Sequence, residues 1–310
     1  MITIFASRLF TGLCVVLTVI SITFFLLRSL PGGPFDSEKK LPAQIQKNIE
    51  KKYNLDEPLW KQYSLYLYNI CRGDFGPSYK YVDRSVNDII KQTFPVSLKL
   101  GIVSLLLSLF LGCFVGIISS VKKGRFFDFF SFSFSTALIS VPSFVIGALL
   151  IFIFSIKYGL LPAALWGEPK HYILPSLTLA AGPAAYLMRL VRSSMLDVTG
   201  AQFIRTARAK GLHTINIIFK HIFKNALIPV VTVLGPITAY LITGSFVVEH
   251  IYAIPGMGKF FVLAVSNRDY PLIMGITVIY TVVLVLSNLI VDMLYLKLDP
   301  RIRFGNSADK

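Results

Sequence analysis

The sequence predicts an all-α membrane protein with six transmembrane helices, and three observations carry that prediction. Of 310 residues, 54% are hydrophobic and only 15% charged, against about 25% charged in ordinary soluble domains. Mean hydropathy is +0.66. The apolar residues also fall into six stretches long enough to cross a bilayer, for which a helix needs about 20 apolar residues. Backbone groups in lipid must bond internally, and the alternating pattern of a barrel strand is absent, so the stretches are helices. The same composition excludes a disordered chain, which has too little to bury. Three cysteines exclude a disulfide-stapled secreted scaffold.

The stretches run approximately Leu9–Leu27, Ser97–Val121, Phe129–Ile156, Tyr172–Val191, Ala226–Val248 and Leu272–Tyr295. A cleaved signal peptide is the competing reading of the first, with Arg8 as its basic flank. Its apolar run exceeds the roughly 7–15 residues of a signal core, and Pro31-Gly32-Gly33-Pro34 follows in place of a small-residue cleavage site. Lysine and arginine then set the expected orientation. Segments 1–8, 122–128, 189–224 and 292–310 hold 15 of the 31, while the short opposing loops 156–171 and 249–271 hold 4. The other 12 lie in 28–99, a loop too long to count, so both termini are expected in the cytoplasm. A net charge of +15 is thus explained by topology and anchoring, not by nucleic acid. The expected organisation is a first span with its N-terminus (1–30), an extracytoplasmic helical loop (31–95), a five-helix core (96–298) that includes a cytoplasmic segment (198–225), and a cytoplasmic tail (299–310).

In the long loop, Pro42 occupies a first helical position, with Ile45 and Ile49 on one face. Asp56 and Pro58 precede an aromatic run of Trp60, Tyr63, Tyr66 and Leu67. Gly73-Asp74-Phe75-Gly76-Pro77-Ser78 is turn material, and a short helix bearing Val86, Ile89 and Ile90 is expected to stop before Pro95. A cap over the span ends and a docking surface for an external partner both fit this pattern. Cys71 is the one cysteine outside the spans and so has no intrachain disulfide partner.

Pro142, Gly182-Pro183 and Gly235-Pro236 are expected to break the third, fourth and fifth spans. Ala180-Ala181-Gly182-Pro183-Ala184-Ala185 and the pair Gly112 and Gly116 supply small residues beside them. Such residues allow bending and close packing, which suits a substrate path or simply a tight bundle. The first, third and fifth spans hold no ionisable residue, and the sixth has only Asp292 near its end. Proton-driven carriers need a titrating group in the pathway, so proton coupling is not expected, while sodium coupling through backbone carbonyls stays open. The four histidines, His171, His213, His221 and His250, lie in loops or at span ends without metal-ligand spacing. Gly256-Met257-Gly258-Lys259-Phe260 resembles the end of a phosphate loop, but Ala253 stands at the first glycine and Phe260 at the magnesium-binding hydroxyl. No hydrolytic set of nucleophile and base is present either.

The segment between the fourth and fifth spans is the most informative. Gln202 to Lys210 is made of good helix formers, and Gly211 is a natural stop. Phe203 and Ala207 are expected to share one face, and Arg205 and Arg208 another. Thr214 can cap a second helix, in which Ile215, Ile218, Phe219, Ile222 and Ala226 form an apolar stripe opposite Asn216, Lys220 and Lys224. A basic loop anchors most multispan proteins, but that does not explain a short helix, a glycine break and an amphipathic helix in this order. Such an elbow suits a lever moved by a soluble partner.

These residues resemble a family. Ala207 and Gly211 fall where the EAA loop of ABC importer permeases has its second alanine and its glycine. Arg205-Thr206-Ala207-Arg208-Ala209-Lys210-Gly211-Leu212 and Asn225-Ala226-Leu227-Ile228-Pro229 are similar to the oligopeptide and dipeptide branch. So are Gly73-Asp74-Phe75-Gly76, Val248-Glu249, Ile254-Pro255-Gly256-Met257-Gly258, Arg268-Asp269-Tyr270-Pro271 and Asp299-Pro300-Arg301-Ile302-Arg303. The resemblance covers nearly the whole chain, and the long first outer loop points to the first, B-type permease. Arg205 stands where the general motif has glutamate, and Lys224 where it has a late proline.

The resemblance implies a type I ABC importer permease fold and a transport subunit with no ATPase site or cofactor of its own. It implies a second permease subunit, usually forming a heterodimer, and two ATP-binding-cassette ATPases carrying the ATP and magnesium. It also implies an extracytoplasmic solute-binding protein and a place in the bacterial inner membrane. Carried over by position, Phe203, Ile204, Arg205, Thr206, Ala207, Arg208, Ala209, Lys210 and Gly211 form the ATPase-contacting element. Arg205, Arg208 and Lys210 then meet acidic groove residues, and Ala207 allows close approach. The implied cargo is an oligopeptide or dipeptide. Nickel chelates, glutathione or opine-like compounds are the alternatives within the branch. An ion-coupled secondary carrier and a purely structural or signalling subunit are the alternatives outside it. The sequence assigns no residues to substrate binding, and the roles of Glu249, Arg268 and Asp269 stay open between pairing or partner contact and ordinary solvated loop charges.

Overall fold

The computed structural model describes residues 2–31, 51, 53–81 and 83–298. The helix expected from Pro42, with Ile45 and Ile49, and the tail 299–310, with Asp299-Pro300-Arg301-Ile302-Arg303, lie outside the described residues. In chain order the helices are α1 (Ile2–Ser29), α2 (Leu59–Cys71), α3 (Val86–Val121), α4 (Phe126–Ser140) and α5 (Ser143–Leu150), the last running on as a π-helical segment Ile151–Lys157. Then come α6 (Lys170–Thr199), α7 (Gln202–Ala209) and α8 (Thr214–Asn216), which passes through a second π-helical segment, Ile217–Phe223, into α9 (Lys224–Ile242). The chain closes with α10 (Phe246–Ile251), α11 (Met257–Asn267) and α12 (Tyr270–Leu298). Among the described residues, 5 helices are long and apolar enough to cross a membrane, or 6 if the bent pair α4–α5 counts as one crossing.

That pair is the third expected span, and it is not straight. It bends by 109° at Val141 and Pro142. Val141 is held extended (φ −86°, ψ 127°), because a proline ring clashes with a helical residue before it. The other two expected breaks do not occur. α6 runs uninterrupted through Pro175 and Pro183, and α9 through Pro229 and Pro236. A proline removes one backbone bond, which neighbours in a membrane bundle offset. The fifth span breaks later, at Gly244 (φ +80°).

Pro95 likewise fails to stop a helix. Ser85 caps α3: its Oγ accepts from the Asp88 amide (3.1 Å), while Asp88 Oδ2 accepts from the Ser85 amide (3.2 Å). Val86, Ile89 and Ile90 are buried just behind that cap. With its start pinned from both sides, the helix passes through Pro95 and reaches 36 residues, roughly 54 Å. The expected short helix and the second span are therefore one element, and position 95/96 lies inside it.

One face of α3 is a stripe of small residues. Ser97, Gly101, Ser104, Ser108, Gly112, Gly116 and Ser119 are all buried, and their spacing of three and four keeps them on one side. A Cβ at Gly101 would sit 2.5 Å from the Leu241 carbonyl oxygen of α9. At Gly112 it would sit 2.7 Å from Leu187 Cβ, and at Gly116 2.8 Å from the Met188 oxygen, both on α6. The Gly112–Gly116 pair thus serves helix packing, where lipid supplies no hydrophobic drive and close backbone approach replaces it. Gly112→Leu should separate α3 from α6 and destabilise the protein by about 1–3 kcal/mol. An unchanged thermal midpoint in detergent would contradict this packing. Away from the stripe, Phe110, Phe126 and Phe129 are exposed, as side chains facing lipid are.

Three buried clusters hold the bundle. Phe24, Leu27, Val86, Ile89, Met257 and Leu272 join α1, α3, α11 and α12, with Tyr63, Tyr66 and Phe75 packed against them. Leu100, Leu174, Leu241 and Tyr252 join α3, α6 and α9 to the segment after α10. Leu187, Val191, Met195, Ile204, Ile217 and Ile222 form the third. It lies at the end of α3 opposite the first cluster, and the elbow rests on it.

Candidate functional site

Two residues, Gly200 and Ala201, separate α6 from α7. Ile204 is 0% and Ala207 6% exposed, and both belong to the buried cluster that holds Leu187, Val191 and Met195 of α6 with Ile217 and Ile222. The element that α7 packs against is the segment Ile217–Phe223. Phe203 is 47% exposed. The inward face is therefore Ile204 with Ala207, which corrects the expected pairing of Phe203 with Ala207. The small side chain at Ala207 is spent within the chain, in the cluster that seats α7 on Ile217–Phe223. Arg205, Thr206, Arg208, Ala209, Lys210 and Gly211 are exposed, so the outward surface is basic around one aromatic ring.

The elbow's turn is a Schellman motif. The Leu212 amide donates to the Ala207 carbonyl (3.3 Å) and the Gly211 amide to the Arg208 carbonyl (2.9 Å). This closure puts Gly211 at φ +71°, a conformation that glycine adopts without Cβ cost. His213, rather than the expected Thr214, holds the N-cap position of α8. The apolar stripe that follows also differs from expectation. Ile217, Ile222, Ala226 and Val230 are buried, while Ile215 and Phe219 are more than half exposed. Residues 217–223 are π-helical, so the inward positions are first five apart and only then four apart. A stripe drawn at the α-helical period therefore drifts off the true face. Ile215, Phe219 and Leu212 are exposed, as Phe203 is.

Behind the elbow, Asp128 in the first turn of α4 is 4% exposed. Its Oδ1 accepts from Arg192 Nε (2.5 Å) and Ser119 Oγ (2.5 Å), and its Oδ2 from Arg192 Nη2 (2.8 Å) and the Gly124 amide (2.9 Å). One carboxylate thus ties the end of α3, the α3–α4 turn and the last turns of α6 together. Sequence reasoning missed this pair, because the partners are 64 positions apart.

Two carboxylates at the opposite end also turn inward. Glu249 is 0% exposed. Its Oε1 accepts from Ser97 Oγ (2.7 Å) and its Oε2 from the Lys259 amide (3.1 Å), with the Gly258 amide also bonded to it. Ser97 Oγ in turn accepts from the Met257 amide (2.8 Å). A Cβ at Gly244, Gly256 or Gly258 would press on this carboxylate. The run that resembled a phosphate loop is thus an anion cradle at the start of α11, filled by the chain's own glutamate. Glu249→Gln turns an amide group toward those donors and should destabilise the protein by about 1–3 kcal/mol. Equal unfolding midpoints for the two proteins would argue against the cradle. Asp269, also 0% exposed, stands before α12. Its Oδ1 accepts from the amides of Tyr79 (3.1 Å) and Leu272 (3.4 Å), and its Oδ2 from Ser78 Oγ. Arg268, in the left-handed region (φ 55°), donates to the Pro31 carbonyl (3.3 Å). Glu249 and Asp269 are internal ties rather than solvated charges.

Apolar crossings packed through small residues, with a basic elbow seated at one end, define a multi-pass membrane protein. The helices superpose on a chain from the crystal structure of an amino acid ABC transporter with histidines at a TM-score of 0.53, covering 68% of this chain and 94% of that one at 16% identity. The chain thus shares the fold of that ABC transporter chain. Residues 108–304 match the family described as binding-protein-dependent transport system inner membrane component, and the chain belongs to that family. It is 45% identical to the dipeptide transport system permease protein DppB of Bacillus subtilis over 96% of both chains. It is also 45% identical to the oligopeptide transport system permease protein OppB of Haemophilus influenzae, over 96% of this chain and 98% of that one. Against OppB of Escherichia coli K12 the identity is 42% over 92% and 94%.

Proposed function

We propose that this chain is one permease subunit of an ATP-driven importer that carries dipeptides or oligopeptides across the bacterial inner membrane. The cargo reading rests on its similarity, across almost the full length, to permeases named for dipeptide and oligopeptide transport. The mechanical reading rests on the seating of α7: Ile204 and Ala207 are clamped inward, so a push on Phe203, Arg205, Arg208 or Lys210 passes into Ile217–Phe223 and through that segment to α9 and α6. Two cytoplasmic ATPases carry the ATP and magnesium, and each closes on nucleotide binding. One of them grips Phe203 to Gly211, and the motion rocks the spans between two states. A second permease completes the path, an extracytoplasmic binding protein delivers the peptide, and both termini face the cytoplasm.

The test is a mild-detergent purification of the chain from its native membrane, followed by mass spectrometry and peptide uptake. The expected result is recovery of a second permease, P-loop ATPases and a binding protein, with uptake of labelled dipeptide that stops when ATP is depleted. Uptake that persists without ATP under an imposed ion gradient would instead identify a secondary carrier.

A further inference from the structure

Between α1, α2 and the turn that leads into α3 lies a cavity of about 170 Å³, whose lining includes Arg28, Gln62, Tyr66, Asn69, Asp74 and Tyr79. Arg28 is fixed from one side. Its Nε donates to Gln62 Oε1 (2.9 Å), and Gln62 Nε2 is itself held by the carbonyls of Leu55 (3.2 Å) and Glu57 (2.8 Å). The guanidinium carbon lies 3.7 Å from the centroid of the Phe24 ring, a cation–π contact that keeps the group in place. Despite this support, Arg28 Nη1 is buried without a hydrogen-bond partner among the described residues, and so is the Tyr66 hydroxyl. A buried donor left unpaired costs about 1–3 kcal/mol, and more when charged. Burial raises the Tyr66 hydroxyl above the ordinary tyrosine range, so it stays protonated and able to donate.

We propose that this cavity binds a single carboxylate group, with Arg28 Nη1 and the Tyr66 hydroxyl donating to it. Two unpaired donors and one positive charge match a two-oxygen, singly charged acceptor. The volume is close to that of cavities that take one molecule of roughly benzene size, which admits acetate or the terminal group of a peptide. Asp74, the acid on the lining, is exposed, and its Oδ1 accepts from the Gly76 amide (2.9 Å), so solvent screens its opposition. The carboxylate comes from a small free acid or from the C-terminus of a short peptide. The inference is read by binding alone and stands or falls independently of the transport reading.

The test is thermal unfolding of the full-length chain, purified with its co-purifying partners, at fixed ionic strength. Four additions are compared: sodium chloride, sodium acetate, triglycine and triglycinamide. Acetate should raise the midpoint above chloride. Arg28→Gln and Tyr66→Phe should each weaken the acetate response, by about tenfold in apparent affinity for the arginine variant, as expected for a hydrogen bond to a charged group. A rise with triglycine but not with its amide, weakened by Arg28→Gln and Tyr66→Phe as the acetate response is, identifies the peptide terminus as a source, and a rise with acetate alone identifies a small free acid. No difference between acetate and chloride, as in a cavity holding only water, overturns the proposal. So does an acetate response unchanged in Tyr66→Phe, which decides the matter should Arg28→Gln fail to fold.

Discussion

Peptide uptake is expected to fall to background when Gly211 is replaced by proline, with the chain still present in the membrane. Gly211 closes the elbow at φ +71° and donates its amide to the Arg208 carbonyl at 2.9 Å. Proline is fixed near φ −65° and has no amide hydrogen, so neither the turn nor the bond survives. Gly211→Ala keeps the amide and costs about 1–2 kcal/mol for the left-handed backbone, which should give intermediate uptake. Ala207→Leu attacks the same element from beneath. The site is 6% exposed, and the added carbons crowd the buried cluster that Ala207 shares with Ile217 and Ile222, an overpacking cost of about 1–3 kcal/mol. Phe203→Ala completes the series, because it alters the outward surface and leaves the seat intact. It should reduce uptake and ATPase co-purification without moving the unfolding midpoint. Uptake of labelled dipeptide, set against membrane abundance by immunoblot, reads all four variants. Normal uptake by both Gly211→Pro and Ala207→Leu would remove the elbow from the transport mechanism.

The parts of this arrangement that were legible in sequence are those fixed by local chemistry. Apolar length identifies the crossings, Pro142 marks a true break, with Val141 extended before it, and Gly211 marks the elbow because its turn needs a positive φ. Other features depend on what lies across the interface, which no local pattern reports. Pro95, Pro183 and Pro236 look like breaks, yet packing on both sides carries α3, α6 and α9 through them. The inward face of 217–230 follows Ile217 and Ile222, five apart, and a stripe computed at 3.6 residues per turn cannot anticipate a π-helical winding. Glu249 and Asp269 look like loop charges because their partners, Ser97 and Ser78, are 152 and 191 positions away. One signal was available and unused. The spacing of serines and glycines from Ser97 to Ser119 marks a small-residue face far longer than the single pair Gly112 and Gly116.

Arg192→Ala is expected to destabilise the protein by about 3–5 kcal/mol, the cost of leaving a buried carboxylate without its counter-ion. Asp128 has a side chain only 5% exposed and Arg192 one 23% exposed, so water compensates little of the loss. Ser119 Oγ and the Gly124 amide would remain bonded to the carboxylate, and neither carries charge. Arg192→Lys should recover only part of the stability, since an ammonium cannot span both oxygens as the guanidinium does through Nε and Nη2. Removing both charges together, as in Asp128→Asn with Arg192→Met, should cost much less than Arg192→Ala alone, because no uncompensated ion is then buried. Unfolding by denaturant in micelles measures all three. The same variants connect stability to the proposed transport function: Arg192 lies ten positions before Gln202, the first residue of α7, so the pair fixes the end of α6 on which the elbow rests. Loosening it should lower uptake more steeply than it lowers membrane abundance, because displacement of α7 would then be absorbed at the α3–α4 turn rather than passed into the bundle. An Arg192→Ala protein with wild-type unfolding and wild-type uptake would show that this pair neither holds the bundle nor transmits the motion.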